Sequence, residues 1–397
     1  MNNVLKTTLK SDEENLLEEA RELVPLLKEY ATETEALGRL HPRVVTALHD
    51  SGLWRIIQPK QVGGANLSYR AMIEVTVELG RGCGSTAWVY GNLASHHWML
   101  AMWPKAAQDC VWLDDPDALI ASSVIFQAGQ AESVAGGYVL NGRWPFCSGI
   151  DISGWVMLGG MVEVNGKGRD PRLFLVPKSD IEVLETWDVS GLCGTGSKDV
   201  VASRIFVRDE MSLRAADVLG GATPGSEVNP DAVYKLPVQA LFSHIIAAPI
   251  VGITRCAVDE FISTNTSSVS LYNKSKIAQH PTVQIRLSDA TSAIESAQML
   301  LYRNCDEALE IINADGHIDV GDKHRWRRDA AYGANLCADA VASLYRISGG
   351  KAAYRSNPMQ RYYRDVSVGI NHINMSRDII GAEYGSYALG LGGNPNI

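Results

Sequence analysis

The hydrophobic period of this sequence changes twice along its length, and the order of those changes limits what the chain can fold into. Up to about residue 115 the spacing is helical: Leu16, Ala20, Leu23, Leu27 and Tyr30 recur at steps of three or four between Glu and Lys. Further helices are expected near Arg43–Asp50, closed by Ser51-Gly52, over Ser68–Leu79, and from Gly84-Ser85 through Trp88 and Leu93. From Asp117 to Met211 the chain becomes Gly-rich and β-branched. Short apolar runs there (Trp155–Leu158, Leu173–Val176, Val200–Val207) read as strands, and Asn141-Gly142 after Tyr138-Val139-Leu140 reads as a turn between strands. A Gly/Pro-rich linker over 214–232 follows. Helical spacing then returns in four long stretches, about 236–266, 281–314, 323–348 and 358–389. The expected fold class is α+β: an N-terminal helical domain (1–117), a middle β barrel or sandwich (118–213) and a C-terminal four-helix bundle (214–397). Such segregation argues against a doubly wound α/β sheet. No Gly-x-Gly-x-x-Gly follows an early strand, so a Rossmann nicotinamide site has no support.

Composition removes several function classes. A formal net charge of -9 argues against nucleic acid or an anionic membrane as the main partner. No run reaches the roughly 18 uninterrupted apolar residues of a spanning helix. Met1–Asn15 carries Lys6, Lys10, Asp12, Glu13 and Glu14 and no apolar signal region, so a soluble cytoplasmic protein is expected. The seven cysteines are odd in number, widely spaced and without a Cys-x-x-Cys pair; neither a disulfide framework nor a cysteine zinc site fits, and no metal is expected. Gly191-Leu-Cys-Gly-Thr-Gly-Ser-Lys198 is no phosphate loop, because Ser197 separates the last Gly from Lys198 and Asp199 follows. His-Glu-x-x-His and Gly-x-Ser-x-Gly are both absent, which removes the main signatures of metalloproteases and α/β-hydrolases.

Three groups of residues together carry a resemblance. The first is Asn92-Leu-Ala-Ser-His96-His97-Trp98-Met-Leu-Ala-Met-Trp103. The second is Leu140-Asn-Gly-Arg-Trp144-Pro-Phe146-Cys147-Ser148-Gly149-Ile-Asp151 with Trp187-Asp-Val-Ser-Gly191-Leu-Cys-Gly194-Thr195-Gly196-Ser197-Lys198. The third is Gln360-Arg361-Tyr-Tyr-Arg364-Asp365-Val-Ser-Val-Gly-Ile-Asn371-His372. In order and spacing the chain resembles the two-component flavin-dependent monooxygenases of the acyl-CoA dehydrogenase fold, a group that includes p-hydroxyphenylacetate, sulfur-heterocycle, steroid-ring and indole-type oxygenases. The resemblance implies an oxygenase component that takes reduced flavin from a separate, NAD(P)H-using flavin reductase. Reduced FAD is expected in preference to FMN. With O2 the enzyme would form a C4a-hydroperoxyflavin and oxygenate a small aromatic or heteroaromatic substrate, indole-like or phenolic. The alternative on the same fold is an acyl-CoA dehydrogenase. Its catalytic Glu belongs in a Tyr-Glu-Gly tripeptide after the Arg-Asp segment, where this chain has Asn371-His372-Ile373; an imidazole there changes the available chemistry.

The resemblance also implies site residues. His96, Ser148 and His372 take catalytic roles: Ser148 beside flavin N5, His372 near the flavin peroxide, and His96 toward a ring hydroxyl or NH. His97 is the alternative to His96, since helix neighbours point about 100° apart. Ser122, Ser123, Trp144, Ser148, Thr195 and Ser197 are expected around the flavin, with Gly349 and Gly350 reaching a neighbouring subunit's flavin tail in a homotetramer. Phe242 and His244 join His96 as substrate contacts. Relatives hold the flavin phosphate with an Arg; the matching stretch Ser270-Leu-Tyr-Asn-Lys274-Ser-Lys276 has none, leaving Lys274 or Lys276.

Overall fold

The computed structural model describes residues 12–164, 168–270, 274–394 and 397. Lys6, Lys10 and the 271–273 part of the expected phosphate-binding stretch lie outside the described residues.

Five helices come first: α1 (Asp12–Leu37), α2 (Pro42–Asp50), α3 (Tyr69–Gly80), α4 (Gly84–Leu100) and α5 (Lys105–Trp112). Their starts follow local chemistry. Asp12, Glu13 and Glu14 place negative charge on the first turn of α1, Pro42 occupies the opening position of α2, and Ser68 Oγ accepts the Ala71 N–H of α3. Helix α1 buries Ala20, Leu27, Tyr30, Ala31 and Thr34 on one stripe. Helix α4 is different, being buried on every side.

Eight strands follow: β1 (Ile120–Ser123), β2 (Gly129–Val134), β3 (Gly137–Cys147), β4 (Trp155–Val164), β5 (Gly168–Pro177), β6 (Glu182–Leu184), β7 (Lys198–Arg208) and β8 (Ser212–Arg214). Their order is β6-β7-β3-β2-β4-β5-β8, with β1 parallel to β4. Asn141-Gly142 is not a turn: both residues lie inside β3. The β2–β3 turn is at Gly136, with φ 78°. Asn141 instead marks an irregularity in the β3–β7 ladder, where its Oδ1 accepts the Arg204 N–H at 2.8 Å and Arg204 takes φ 55°. The side chain satisfies the backbone group that the broken ladder would leave free.

The bundle contains α6 (Val238–Asn265), α7 (Pro281–Asn313) and α8 (Val320–Ile347), then α9 (Pro358–Gly369) and α10 (Arg377–Ala388). The expected single helix over 358–389 is thus two. Between them His372 takes φ -61° and ψ 138°, an extended conformation that ends the helix and caps a short 3-10 turn at Ile373–Met375. Apolar content alone also makes α6 long enough to cross a membrane, with mean hydropathy 1.6 over its most apolar 18 residues, despite the absence of an uninterrupted apolar run; 89% of that window is buried inside the protein.

One carboxylate ties the bundle to the β domain. Asp365 on α9 accepts the Leu192 N–H at 2.7 Å, and the neighbouring Arg364 donates to Ser190 O and pairs with Glu35 of α1 at 2.7 Å. The loop lies so close to α9 that a Cβ on Gly191 would sit 2.4 Å from Arg364 O. Burial raises the Asp365 pKa to about 6, although the Leu192 N–H and Arg361 and Arg364 pull it down. The native state therefore holds this proton more tightly than the unfolded chain. The stabilising contribution is full below the unfolded value of 3.8 and is lost as pH rises through about 6. Asp365→Asn keeps an acceptor for Leu192 without the charge. We expect the variant to gain on the wild type between pH 5 and pH 7.5 by at most about 1.4 kcal/mol, the part of the shift that lies above pH 5, in urea unfolding at both pH values. A gap that does not grow with pH would show that Asp365 is not the titrating group.

Candidate active site

Helix α4 forms one wall of the site. Trp88, Asn92 and His96 recur at four-residue steps on it. Asn92 uses its amide on Trp88 O (2.8 Å) and Ser95 its hydroxyl on Asn92 O (2.7 Å), so these polar groups are satisfied within the helix. Trp88 and His96 instead reach the β domain, about 12 Å apart along the helix axis.

At the first position, the Trp88 Nε1–H donates to Ser148 Oγ at 3.2 Å. Ser148 Oγ contacts Ser197 Oγ at 2.7 Å, and Ser197 Oγ contacts Thr195 Oγ1 at 2.7 Å. Thr195 Oγ1 donates to Leu192 O at 2.8 Å. Ser148 can approach α4 because the next residue is a glycine: Gly149 has φ 71°, and a Cβ there would meet Val89 at 2.9 Å and Leu93 at 3.0 Å.

At the second position, His96 is fully buried between α4 and β1. Its Nδ1 lies 2.6 Å from Ile120 O and its Nε2 2.8 Å from Ser122 Oγ. A carbonyl only accepts, so Nδ1 carries the proton and Ser122 donates to Nε2. Burial lowers the His96 pKa to about 4, leaving the ring neutral at pH 7. Ser123 donates to Pro145 O at 2.8 Å, anchoring β1 against β3. His97 points elsewhere. It stacks on Trp112 of α5 and accepts its indole N–H at 3.2 Å.

His372 lies across from Trp88, ring centroids 6.1 Å apart, with Phe242 of α6 at 6.5 Å. Its Nδ1 accepts the Asn374 N–H at 3.2 Å, so the proton sits on Nε2. Burial lowers its pKa to about 4. Trp88, Ser148, Ser197, Thr195, His372 and Phe242 therefore form one continuous constellation, with His96 and Ser122 further along α4.

Some expected residues stand apart. Trp144 is wholly inside the β domain: its indole donates to Gly159 O at 2.6 Å and its side chain is 0% exposed, so it presents no surface to a flavin. Phe146, two residues on and of the same pleat parity, is instead turned outward by the ladder irregularity between Trp144 and Cys147 and its own φ of 64°; it is 62% exposed and set edge-on to Trp187 at 6.3 Å. His244 does not share a face with Phe242, because two residues turn a helix by about 200°. It is 0% exposed and neither ring nitrogen has a hydrogen bond of good geometry among the described residues. Gly349 and Gly350, expected to meet a neighbouring subunit, follow α8 and are exposed, with Gly349 at φ 70°. Lys274 and Lys276, both exposed, follow residues 271–273. Sequence reasoning missed Trp88, since a tryptophan on an apolar helix reads as core; only its N–H on Ser148 reveals it.

A wide surface groove lies elsewhere, lined by Arg70, Tyr302, Arg303, Asp306, Glu307 and Arg325. Its arginines are already paired, Arg70 with Glu74 and Asp306, Arg303 with Asp329 and Arg325 with Glu307, so it offers a ligand little free charge. No grouping of His, Cys, Asp and Glu suited to a metal occurs among the described residues.

His244 also yields a prediction. Burial lowers its pKa to about 3, so between pH 6.5 and 4 the unfolded chain takes up a proton that the native chain refuses. Stability falls as pH drops through that window. His244→Leu removes both unsatisfied nitrogens. It should be neutral or stabilising at pH 7 by up to about 1 kcal/mol, with a larger advantage at pH 5, read from urea midpoints. A destabilised variant at pH 5 would mean that His244 has a partner.

Comparison with known proteins agrees with this architecture. Residues 10–115 match the acyl-CoA dehydrogenase N-terminal domain family and residues 244–377 the acyl-CoA dehydrogenase C-terminal domain family. The chain is 32% identical over 370 residues to the flavin-dependent monooxygenase oxygenase subunit HsaA of Rhodococcus jostii (strain RHA1), covering 93% of this chain and 97% of that one. It is also 32% identical to the oxygenase component of the FADH(2)-dependent resorcinol hydroxylase of Rhizobium sp. (strain MTP-10005), covering 92% of each. The crystal structure of the HsaA monooxygenase from M. tuberculosis superposes with a TM-score of 0.92 at 31% identity, covering 98% of this chain and 100% of that one.

Proposed function

The chain belongs to the oxygenase components of flavin-dependent monooxygenases built on the acyl-CoA dehydrogenase fold, and we propose that it inserts one atom of O2 into a small aromatic molecule carrying a ring hydroxyl or N–H. The His96–Ser122 pair carries this reading. Ser122 gives its own proton to His96 Nε2, so its remaining lone pairs can only accept. A substrate held there must therefore bring a donor, as a phenol or an indole does. His96 is a weak base in its buried setting, so the pair strengthens the substrate's hydrogen bond and enriches the ring in electrons without removing the proton outright.

The remaining residues fit a flavin. A flat ring with an N–H edge suits the Ser148 hydroxyl beside exposed Phe146 and half-buried Trp187. Bound reduced flavin supplies the chemistry that activates O2. Ser148 would hold its N5 edge, with Thr195 and Ser197 behind Ser148, and His372 would offer a neutral Nε2–H to a bound oxygen. The absence of a carboxylate at position 372 weighs against acyl-CoA dehydrogenation. The name of the Rhizobium relative favours FAD over FMN, and a separate NAD(P)H-dependent reductase would supply it. We place the enzyme in the cytoplasm, since its free cysteines suit a reducing compartment. Exposed Ile285, Met299, Tyr332, Leu389 and Leu391 on the bundle and after α10 support self-association, which we read as a homotetramer.

Anaerobic protein with reduced FAD, mixed with 18O2 and phenolic or indolic candidates, should yield a product containing 18O and should delay the appearance of oxidised flavin relative to free flavin. Product without 18O would overturn the reading. His372→Ala should lower product per reduced flavin by about tenfold, the scale of one lost net hydrogen bond, with more H2O2 released and a stability loss no larger than that of one missing cap, about 0.5–2 kcal/mol. Unchanged coupling would remove His372 from the reaction.

A further inference from the structure

The hydroxyls of Thr195, Ser197 and Ser148 form a chain whose direction is fixed at its far end. Leu192 O can only accept, so its 2.8 Å contact with Thr195 Oγ1 uses the single Thr195 hydroxyl proton. In the 2.7 Å contact between Thr195 and Ser197, the proton must then come from Ser197. That leaves Ser197 none for Ser148, so in their 2.7 Å contact Ser148 donates. The Trp88 indole N–H, a donor only, fills one of the Ser148 lone pairs at 3.2 Å. Ser148 is left with one lone pair and no proton to offer.

The far end is held firmly. Leu192 O also receives the Trp187 Nε1–H at 3.2 Å and the Thr195 N–H at 3.1 Å, while Asp365 holds the Leu192 N–H. Leu192 sits at φ 52°, a conformation that the Asp365 bond maintains. Thr195 and Ser197 are 2% and 3% exposed, too buried for solvent to reverse the chain.

We propose that this directional chain makes Ser148 an acceptor-only group, and that Thr195, Ser197 and Trp88 are positioning residues that set the protein's preference for reduced over oxidised flavin. The inference rests on the reading above that Ser148 meets the flavin N5 edge. Reduced flavin carries a proton on N5, which Ser148 can accept. Oxidised flavin carries a lone pair on N5, which opposes the Ser148 lone pair. The discrimination comes from which way a proton points, with no charged residue at the contact.

The test is anaerobic titration of wild type, Ser148→Ala, Ser197→Ala, Thr195→Val and Thr195→Ser with oxidised FAD and with dithionite-reduced FAD, reading both dissociation constants and checking each fold by its thermal midpoint. Ser197→Ala and Thr195→Val return a proton to Ser148, which can then turn to the N5 lone pair. Oxidised FAD should bind about five- to tenfold more tightly, the scale of one net hydrogen bond, and reduced FAD within about twofold of wild type. Thr195→Ser restores the chain and the wild-type ratio. A purely structural role predicts weaker binding of both forms, so a selective gain for oxidised FAD is diagnostic. If Ser148→Ala weakens reduced FAD but Ser197→Ala and Thr195→Val leave oxidised FAD unchanged, the directional chain is wrong and the placement of Ser148 stands. If Ser148→Ala changes neither constant, the placement itself fails and the inference falls with it.

Discussion

The hydrogen bond from the Leu192 N–H to Asp365 is the contact on which the site depends. It crosses from the β domain to α9 and holds Leu192 in a left-handed conformation that a branched aliphatic residue otherwise avoids. With the amide held, the Leu192 carbonyl points at Thr195, and the hydroxyl chain to Ser148 acquires its direction. The same α9 ends at Gly369, just before His372. One buried carboxylate thus fixes the bundle's distance from the loop and, through it, the two polar groups that face each other across Trp88. Its raised pKa measures the cost: the charge is tolerated because Arg361, Arg364 and the Leu192 amide partly offset desolvation.

The polar groups at the site share one property. His96 and His372 are held neutral by burial, and in each the tautomer is set by a backbone partner, Ile120 O for His96 and the Asn374 N–H for His372. Ser122 and Ser148 both use their protons inward. The site presents fixed dipoles where mobile charges would shift their protons. In a low-dielectric interior such dipoles act on a bound molecule without prior reorganisation.

The domain order was legible because it rests on hydrophobic period, which burial enforces along whole elements. The family signature was legible too: Arg364-Asp365 and the Gly191–Lys198 run proved to be the two sides of the α9 clasp. Single residues were harder to read. Asn141-Gly142 has the composition of a turn but serves an irregular ladder, because the pairing of β3 with β7 outweighs local propensity. Asn371-His372 looked like the continuation of a helix, and nothing in its local composition announces the extended backbone that ends α9. Trp144 and Phe146 share one pleat parity, and only the irregularity between Trp144 and Cys147, visible in the ladder, turns them to opposite sides. Trp88 carried no signal at all, since its role lies in where its N–H points.

The replacement of a carboxylate by histidine at position 372 is best understood together with the Ser148 chain. A dehydrogenase needs a base that takes a proton and a flavin that ends reduced. An oxygenase needs the opposite: a flavin that arrives reduced and keeps its N5 proton until oxygen has been transferred. A carboxylate beside the ring would draw protons away. In the proposed placement a neutral Nε2–H at His372 would donate one hydrogen bond to oxygen, and an acceptor-only Ser148 would accept another from N5–H, so neither group would compete for the proton that must stay. On this argument the fold changes its chemistry through a few contacts at the site while leaving its architecture in place, which agrees with the match of residues 10–115 and 244–377 to the acyl-CoA dehydrogenase N- and C-terminal domain families.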